Sequence, residues 1–208
     1  FEHGLAPDTD PEAAGKWTGS DAPEFSGQGV VGKALLVGDD KEDFVRFEAP
    51  GDTTESGTLL FWSRGLENWN LYKMHNQGGR SSSFLKTWGD GYWSQITKWN
   101  YDTAGVKLMV GRAGKVSHQV FYPRFDQYAW TQIGVTWDGA HVRLYLNGNL
   151  VKDQKDFVFP FESFAIGGNA GEEGCRRLID ELRIFDSALS PSEVKRLYRL
   201  RLAPMTRP

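Results

Sequence analysis

Cysteine is almost absent from this 208-residue chain, with Cys175 its only example. No internal disulfide can form, so stability has to come from a packed core. A single thiol with no histidine motif beside it reads as a small inert residue rather than a nucleophile. The lack of disulfides fits the cytosol and equally fits many bacterial exported proteins. Histidine is also scarce: His3, His75, His118 and His141 are scattered, with no His-x-His or His-x-x-x-His pair. His118 and His141 read as structural or surface residues. No Gly-x-Ser-x-Gly elbow, Gly-x-x-x-x-Gly-Lys-Ser/Thr phosphate loop or EF-hand pattern occurs, which removes the usual local signatures of acyl transfer, P-loop nucleotide binding and that class of calcium site. No apolar run approaches the ~18 residues of a membrane-spanning helix, so membrane insertion by helices is not expected. No signal-peptide pattern opens the chain at Phe1, and a mature or trimmed protein would have lost one.

What the chain does have is glycine, at 24 residues, and aromatics, at 13%. A hydrophobic share of 39% is enough for a globular core. The length suits a single all-β domain spanning 1–208, with its core over about 25–200 and a tail from 201 to 208. The net charge of −3 is unevenly spread. Residues 62–116 hold eight basic side chains against three acidic ones, a local excess of five positive charges, and the remainder is net −8. Either this is a set of solvated strand faces, or it is a basic surface that coincides with the aromatic residues described below.

From Lys33 onward the pattern is that of short strands. Ala34–Val37 and Asp43–Ala49 bracket a turn, followed by runs at 58–63, 70–75, 82–88, 106–111 and 115–122, with Ala113-Gly114 as a hairpin signal between the last two. Residues 131–154 are clearest. Ile133, Val135 and Trp137 alternate with Gln132, Gly134 and Thr136, then Val142, Leu144 and Leu146 alternate with His141, Arg143 and Tyr145. A period of two predicts one buried and one outward face. Asp138-Gly139 and Asn147-Gly148 supply the turns of a three-stranded meander. Strands at 164–168 and 177–185 complete the set. One helix is expected: Ser190 as N-cap, Pro191 at the first position and Glu193 closing a capping box, ending near Leu200. The fold class that follows is all-β, a two-sheet antiparallel sandwich or jelly roll with one short C-terminal helix.

Several stretches carry a family resemblance. SGQGVVGKALLVGDDKEDFVRFE resembles the opening segment of laminin-G-like jelly rolls of the concanavalin A-like lectin/glucanase superfamily. WTQIGVTWDGAHVRLYLNGNLV is similar to that family's central hairpin, and FAIGGNAG with LIDELRIFDSALSPSEVKRLY to its closing strands and last helix. The resemblance implies a concanavalin A-like jelly roll. It implies less about activity, because the fold serves lectins, carbohydrate-binding modules, adhesion domains and some glycosidases. It also implies a structural Ca²⁺, with Asp180 in the position of the closing-strand acid and Asp21 or Glu24 as its partner. Such an ion takes about six to eight oxygens, many of them carbonyls. The alternative is that Asp180 hydrogen-bonds neighbouring backbone. The Asp-rich opening loop often seen in the family is missing here.

Glucan-cleaving members carry Glu-x-Asp-x-x-Glu or a bulged variant on one strand, because a retaining mechanism needs two carboxylates about 5–5.5 Å apart on one face. No Glu here has Asp two residues later, and Asp180-Glu181, being adjacent, alternate across the strand. The chain therefore reads as non-catalytic, although a site assembled from distant strands would leave no local motif.

Residues 86–101, KTWGDGYWSQITKWNY, hold three tryptophans and two tyrosines among glycine, serine and lysine. Trp62, Trp130 and Trp137 are expected to pack. Trp69, Trp88, Tyr92, Trp93 and Trp99 have two readings: they plug the sandwich edge beneath a loop, or they form an exposed platform for the flat C–H faces of sugar rings. In the second reading Arg80, Lys86 and Lys98 anchor polar groups, and the positive excess favours an anionic glycan. Single-stranded nucleic acid also binds aromatics with cations, but the acidic balance and the resemblance argue against it. The expected protein is a non-catalytic, lectin-like carbohydrate-binding module for a polysaccharide. It would be secreted, periplasmic or on the surface of a bacterium, within a longer chain. The alternatives are a protein-interaction or adhesion domain of an envelope protein, and a glycosidase or polysaccharide lyase.

Overall fold

The computed structural model describes residues 5, 14–38, 43–49, 53, 55–66, 82–99, 105–112, 115–126, 128–167 and 176–205, without the side chains of 82, 98, 99, 105, 115–124 and 202–205. Among the described residues fourteen strands form two seven-stranded sheets. Sheet A runs β1 (Lys16–Trp17), β4 (Phe44–Glu48), β13 (Ser163–Gly167), β6 (Ser82–Gly89), β7 (Tyr92–Trp99), β8 (Gly105–Arg112) and β9 (Lys115–Arg124). Sheet B runs β12 (Asn149–Lys155), β11 (His141–Leu146), β10 (Thr131–Trp137), β5 (Gly57–Gly65), β14 (Arg177–Phe185), β3 (Ala34–Val37) and β2 (Phe25–Ser26). All pairings are antiparallel, giving the jelly-roll sandwich expected from the sequence. The run at 70–75, the Ala113-Gly114 turn and Cys175 lie outside the described residues.

Alternation builds the core. Val45, Phe47, Leu85 and Ile96 of sheet A meet Leu59, Phe61, Ile133 and Val135 of sheet B in one buried cluster. At one end the Phe157–Phe161 segment inserts aromatic rings: Trp137 lies 4.6 Å from Phe161 and 5.0 Å from Phe159, and its indole N–H donates to the Thr53 carbonyl at 2.8 Å.

The meander forms as expected, with one difference. Every residue of β10 is buried, and so is Tyr145 on β11. The face expected to meet water is covered by α1 (Pro191–Met205), whose Val194 packs with Leu60 and Tyr145 while Tyr198 stacks on Trp62 at 5.5 Å. Asn147 and Gly148, both at positive φ, make the two-residue turn beneath this helix. A Cβ on Gly148 would meet that of Tyr198 at 2.7 Å, so the turn also sets how closely α1 docks.

Ser190 caps the helix as anticipated: its hydroxyl accepts from the Glu193 amide at 3.3 Å, and Glu193 accepts from the Ser190 amide at 2.8 Å. The helix does not stop near Leu200; it continues to Met205, so most of the expected tail is helical. The extra turn is tied down by Arg201, which pairs at 2.7 Å with Glu181 at the bulge of β14.

Candidate functional site

Most of the aromatic stretch 86–101 lies in a β-hairpin, whose first strand falls on the run expected at 82–88. β6 and β7 are joined by Asp90-Gly91, whose φ angles of 47° and 71° suit a tight turn with positive φ at both central residues. Glu162 braces it, accepting from the Asp90 amide and donating its own amide to the Trp88 carbonyl, both at 2.9 Å. On the inner side Thr87 and Ser94 share a 2.6 Å hydroxyl contact, and Leu85 pairs with Ile96 in the core. One residue along, parity reverses. Trp88 and Trp93 are register partners on the outer side, both half-buried and neither part of the core clusters.

Cations surround this pair. The Lys86 ammonium lies 5.2 Å from the Trp88 ring centre and 6.0 Å from that of Trp93. The Arg46 guanidinium lies 5.2 Å from the Trp88 ring and donates to the Ser163 hydroxyl at 3.2 Å. Register explains the meeting. Lys16, Arg46, Ala165, Lys86 and Gln95 are successive cross-strand partners over β1, β4, β13, β6 and β7, so one row crosses the outer face. Lys16 and Arg46 are exposed, and among the described residues neither joins an ion pair. Glu48, also exposed, is the register partner of Ser163 on the same face. Beyond Lys86 the face closes: Gln95, Thr97, Lys107 and Met109 are buried.

Of the expected platform, the described residues bring together Trp88, Trp93 and Lys86. Tyr92 points the other way, partly buried against the core, with the Arg112 guanidinium 4.9 Å from its ring. Lys98 and Trp99 close β7 opposite Val106 and Gly105, with side chains outside the described set, and Trp69 and Arg80 lie outside it altogether. Arg46, Lys16 and Ser163 were not singled out in the sequence. Lys16 is placed by the β1–β4 pairing, and Arg46 and Ser163 meet through strands more than 100 residues apart, which no local pattern signals.

Asp180 is buried; one oxygen accepts from the Val31 amide at 3.0 Å and the other from the Glu181 amide at 2.7 Å. Burial pushes its carboxyl above the ordinary value, and these two hydrogen bonds oppose the rise. Asp21 and Glu24 are exposed, and their carbonyls accept from the Trp17 indole and the Leu36 amide. Among the described residues no three His, Cys, Asp or Glu side chains gather as a metal-binding group. Asp180 thus anchors the Gly29–Gly32 turn, and the three acids do not form a calcium ligand set by themselves.

The two sheets, the short helix and the closing strand define a concanavalin A-like jelly roll. The sequence matches the Laminin_G_3 model of the concanavalin A-like lectin/glucanases superfamily over residues 39–195, and the chain belongs to that family. No curated protein matches it. Among solved structures it is similar to domain 4 of AbnA, a GH43 extracellular arabinanase from Geobacillus stearothermophilus, in complex with arabinotriose. That match has 21% identity and a TM-score of 0.72 over 94% of this chain and 93% of the other. It is also similar to the binding domains of botulinum neurotoxin serotype G and of Paraclostridial Mosquitocidal Protein 1, each at 15% identity and a TM-score of 0.67, over 91% and 90% of this chain. The chain spans about half of those toxin domains, 47% in each case. At these identities the likeness concerns the fold alone.

Proposed function

We propose that the chain is a non-catalytic carbohydrate-binding module whose ligand lies over Trp88 and Trp93 on the outer face of sheet A. The observation that carries this reading is the cross-strand indole pair itself, turned away from the core by a hairpin whose inner residues are fully engaged. Sugar rings offer flat C–H faces to indoles, and their hydroxyls need nearby polar partners of the kind Ser163, Arg46 and Lys86 provide. The arabinotriose complex of AbnA domain 4 supports the reading at the level of fold. The absence of a paired-carboxylate sequence supports binding without cleavage. In this proposal the module belongs to a longer bacterial protein that is secreted, periplasmic or on the cell surface.

The test is a glycan array followed by affinity gel electrophoresis of the parent chain and a Trp88→Ala, Trp93→Ala double variant. Retardation by at least one polysaccharide is expected, and it should vanish in the double variant while the melting temperature stays close to that of the parent. Equal retardation of both chains overturns the assignment of the site. The toxin binding domains favour a second reading, an adhesion-type module with a protein ligand; it gains if the array is empty.

For calcium we propose a site dominated by carbonyl oxygens of the 26–32 loop, with Asp180 as its one buried side-chain ligand. A higher melting temperature on adding Ca²⁺ to EDTA-treated protein supports this, and an unchanged one refutes it.

A further inference from the structure

We infer that the ligand of the Trp88–Trp93 face is an acidic polysaccharide, one that carries carboxylate or sulfate groups along its chain. This rests on reading that face as a glycan site. Arg46 is the strongest ground. Its guanidinium lies 5.2 Å from the Trp88 ring centre, donates to the Ser163 hydroxyl and is exposed, and among the described residues it has no carboxylate partner. A guanidinium held this way is pre-organised for two parallel charge-assisted hydrogen bonds to an oxyanion. A neutral sugar would leave that capacity unused.

Spacing is the second ground. Neighbouring strands lie about 4.8 Å apart, so the register row places Lys16 one step from Arg46 and Lys86 two steps away on the other side, at roughly 9.6 Å. The longer interval is comparable to a disaccharide unit, so anionic groups repeating along an extended chain can meet Arg46 and Lys86 in turn. Glu48 beside Ser163 sets the orientation, because it repels an anion over its own end of the face. The acidic groups therefore follow the Lys16–Lys86 row, while the apolar sugar faces lie over the indoles. The protein's net charge is −3, so attraction by overall charge does not account for retention of polyanions.

Affinity electrophoresis and calorimetry with four probes test this: polygalacturonate and alginate for carboxylates, dextran sulfate for sulfates, and linear arabinan as the neutral chain. The proteins are the parent, Arg46→Gln, the double tryptophan variant, and Lys152→Gln on sheet B as a charge control. The expected result is retention by an acidic probe and little by arabinan. Arg46→Gln should weaken affinity about tenfold or more with the fold intact, and Lys152→Gln should have no effect. Affinity should also fall steeply as salt rises from about 50 to about 300 mM. Preference for polygalacturonate and alginate assigns uronate recognition, and preference for dextran sulfate assigns sulfate. If arabinan binds as well as the acidic probes and Arg46→Gln changes nothing, the anionic inference fails while the glycan-binding reading stands. If no probe binds, both fail.

Discussion

The outer faces of the two sheets use the same side chain for opposite ends. On sheet B, Trp62 projects away from the sandwich core but is 1% exposed, because α1 lies over it and Tyr198 stacks on its ring. On sheet A, Trp88 and Trp93 project outward at equivalent parity and remain half-buried, with Arg46 and Lys86 as their neighbours. An indole on an outer face becomes packing material or a ligand platform according to what the rest of the chain lays across it. The helix decides for sheet B; on sheet A, the indoles' described neighbours are polar and charged residues that leave them half-exposed.

The same substitution on each face should therefore give different results. Trp62→Ala empties a site enclosed by α1 and should cost about 3–5 kcal/mol in chemical denaturation, whereas Trp88→Ala should stay within roughly 1 kcal/mol. Similar losses at both positions would erase the contrast. Asp180→Asn replaces one of two amide-accepting oxygens with an NH₂ group that faces a donor, and a loss of about 1–3 kcal/mol is expected from the same measurement. Gly91→Ala strains a residue at φ 71° and should cost about 1 kcal/mol while weakening polysaccharide retention, since this turn sets the register of Trp88 against Trp93. Unchanged retention would show that the pair tolerates slippage.

The smallest effect belongs to the polar edge of sheet B. Burial pushes the Asp138 and Asp153 carboxyls up, but hydrogen bonds from Arg143, His141 and neighbouring amides push harder, and both end below the ordinary value. Their contribution is then present above the usual carboxylate range and lost as pH falls below it. Because the groups are partly exposed, Arg143→Met should flatten the acid limb of the stability curve by only a few tenths of a kcal/mol. A larger change would place the edge among the main supports of the fold.

Legibility followed locality. The 131–155 meander could be read because alternation and an Asn-Gly turn lie within one short window. The β6–β7 hairpin carried its own Asp-Gly signal at 90–91, yet β7 was not read as a strand. Its outer positions hold Trp93, Gln95 and Thr97, whose mixed polarity hid the period of two. Burial of Tyr145 and of all of β10 required knowing where α1 docks. The cation row required pairing β1 with β4 and β4 with β13, the second a contact between chain segments more than 100 residues apart.

Hydroxyl-radical footprinting with mass spectrometry, run with and without an acidic polysaccharide, measures the openness of these faces directly. Trp88 and Trp93 should be oxidised in the free protein and protected once the polysaccharide is added, with Trp62 and Trp137 silent in both states. If Trp88 and Trp93 are as silent as Trp62 in the free protein, or are oxidised equally with and without polysaccharide, sheet A offers no platform and the binding face assigned to it is wrong.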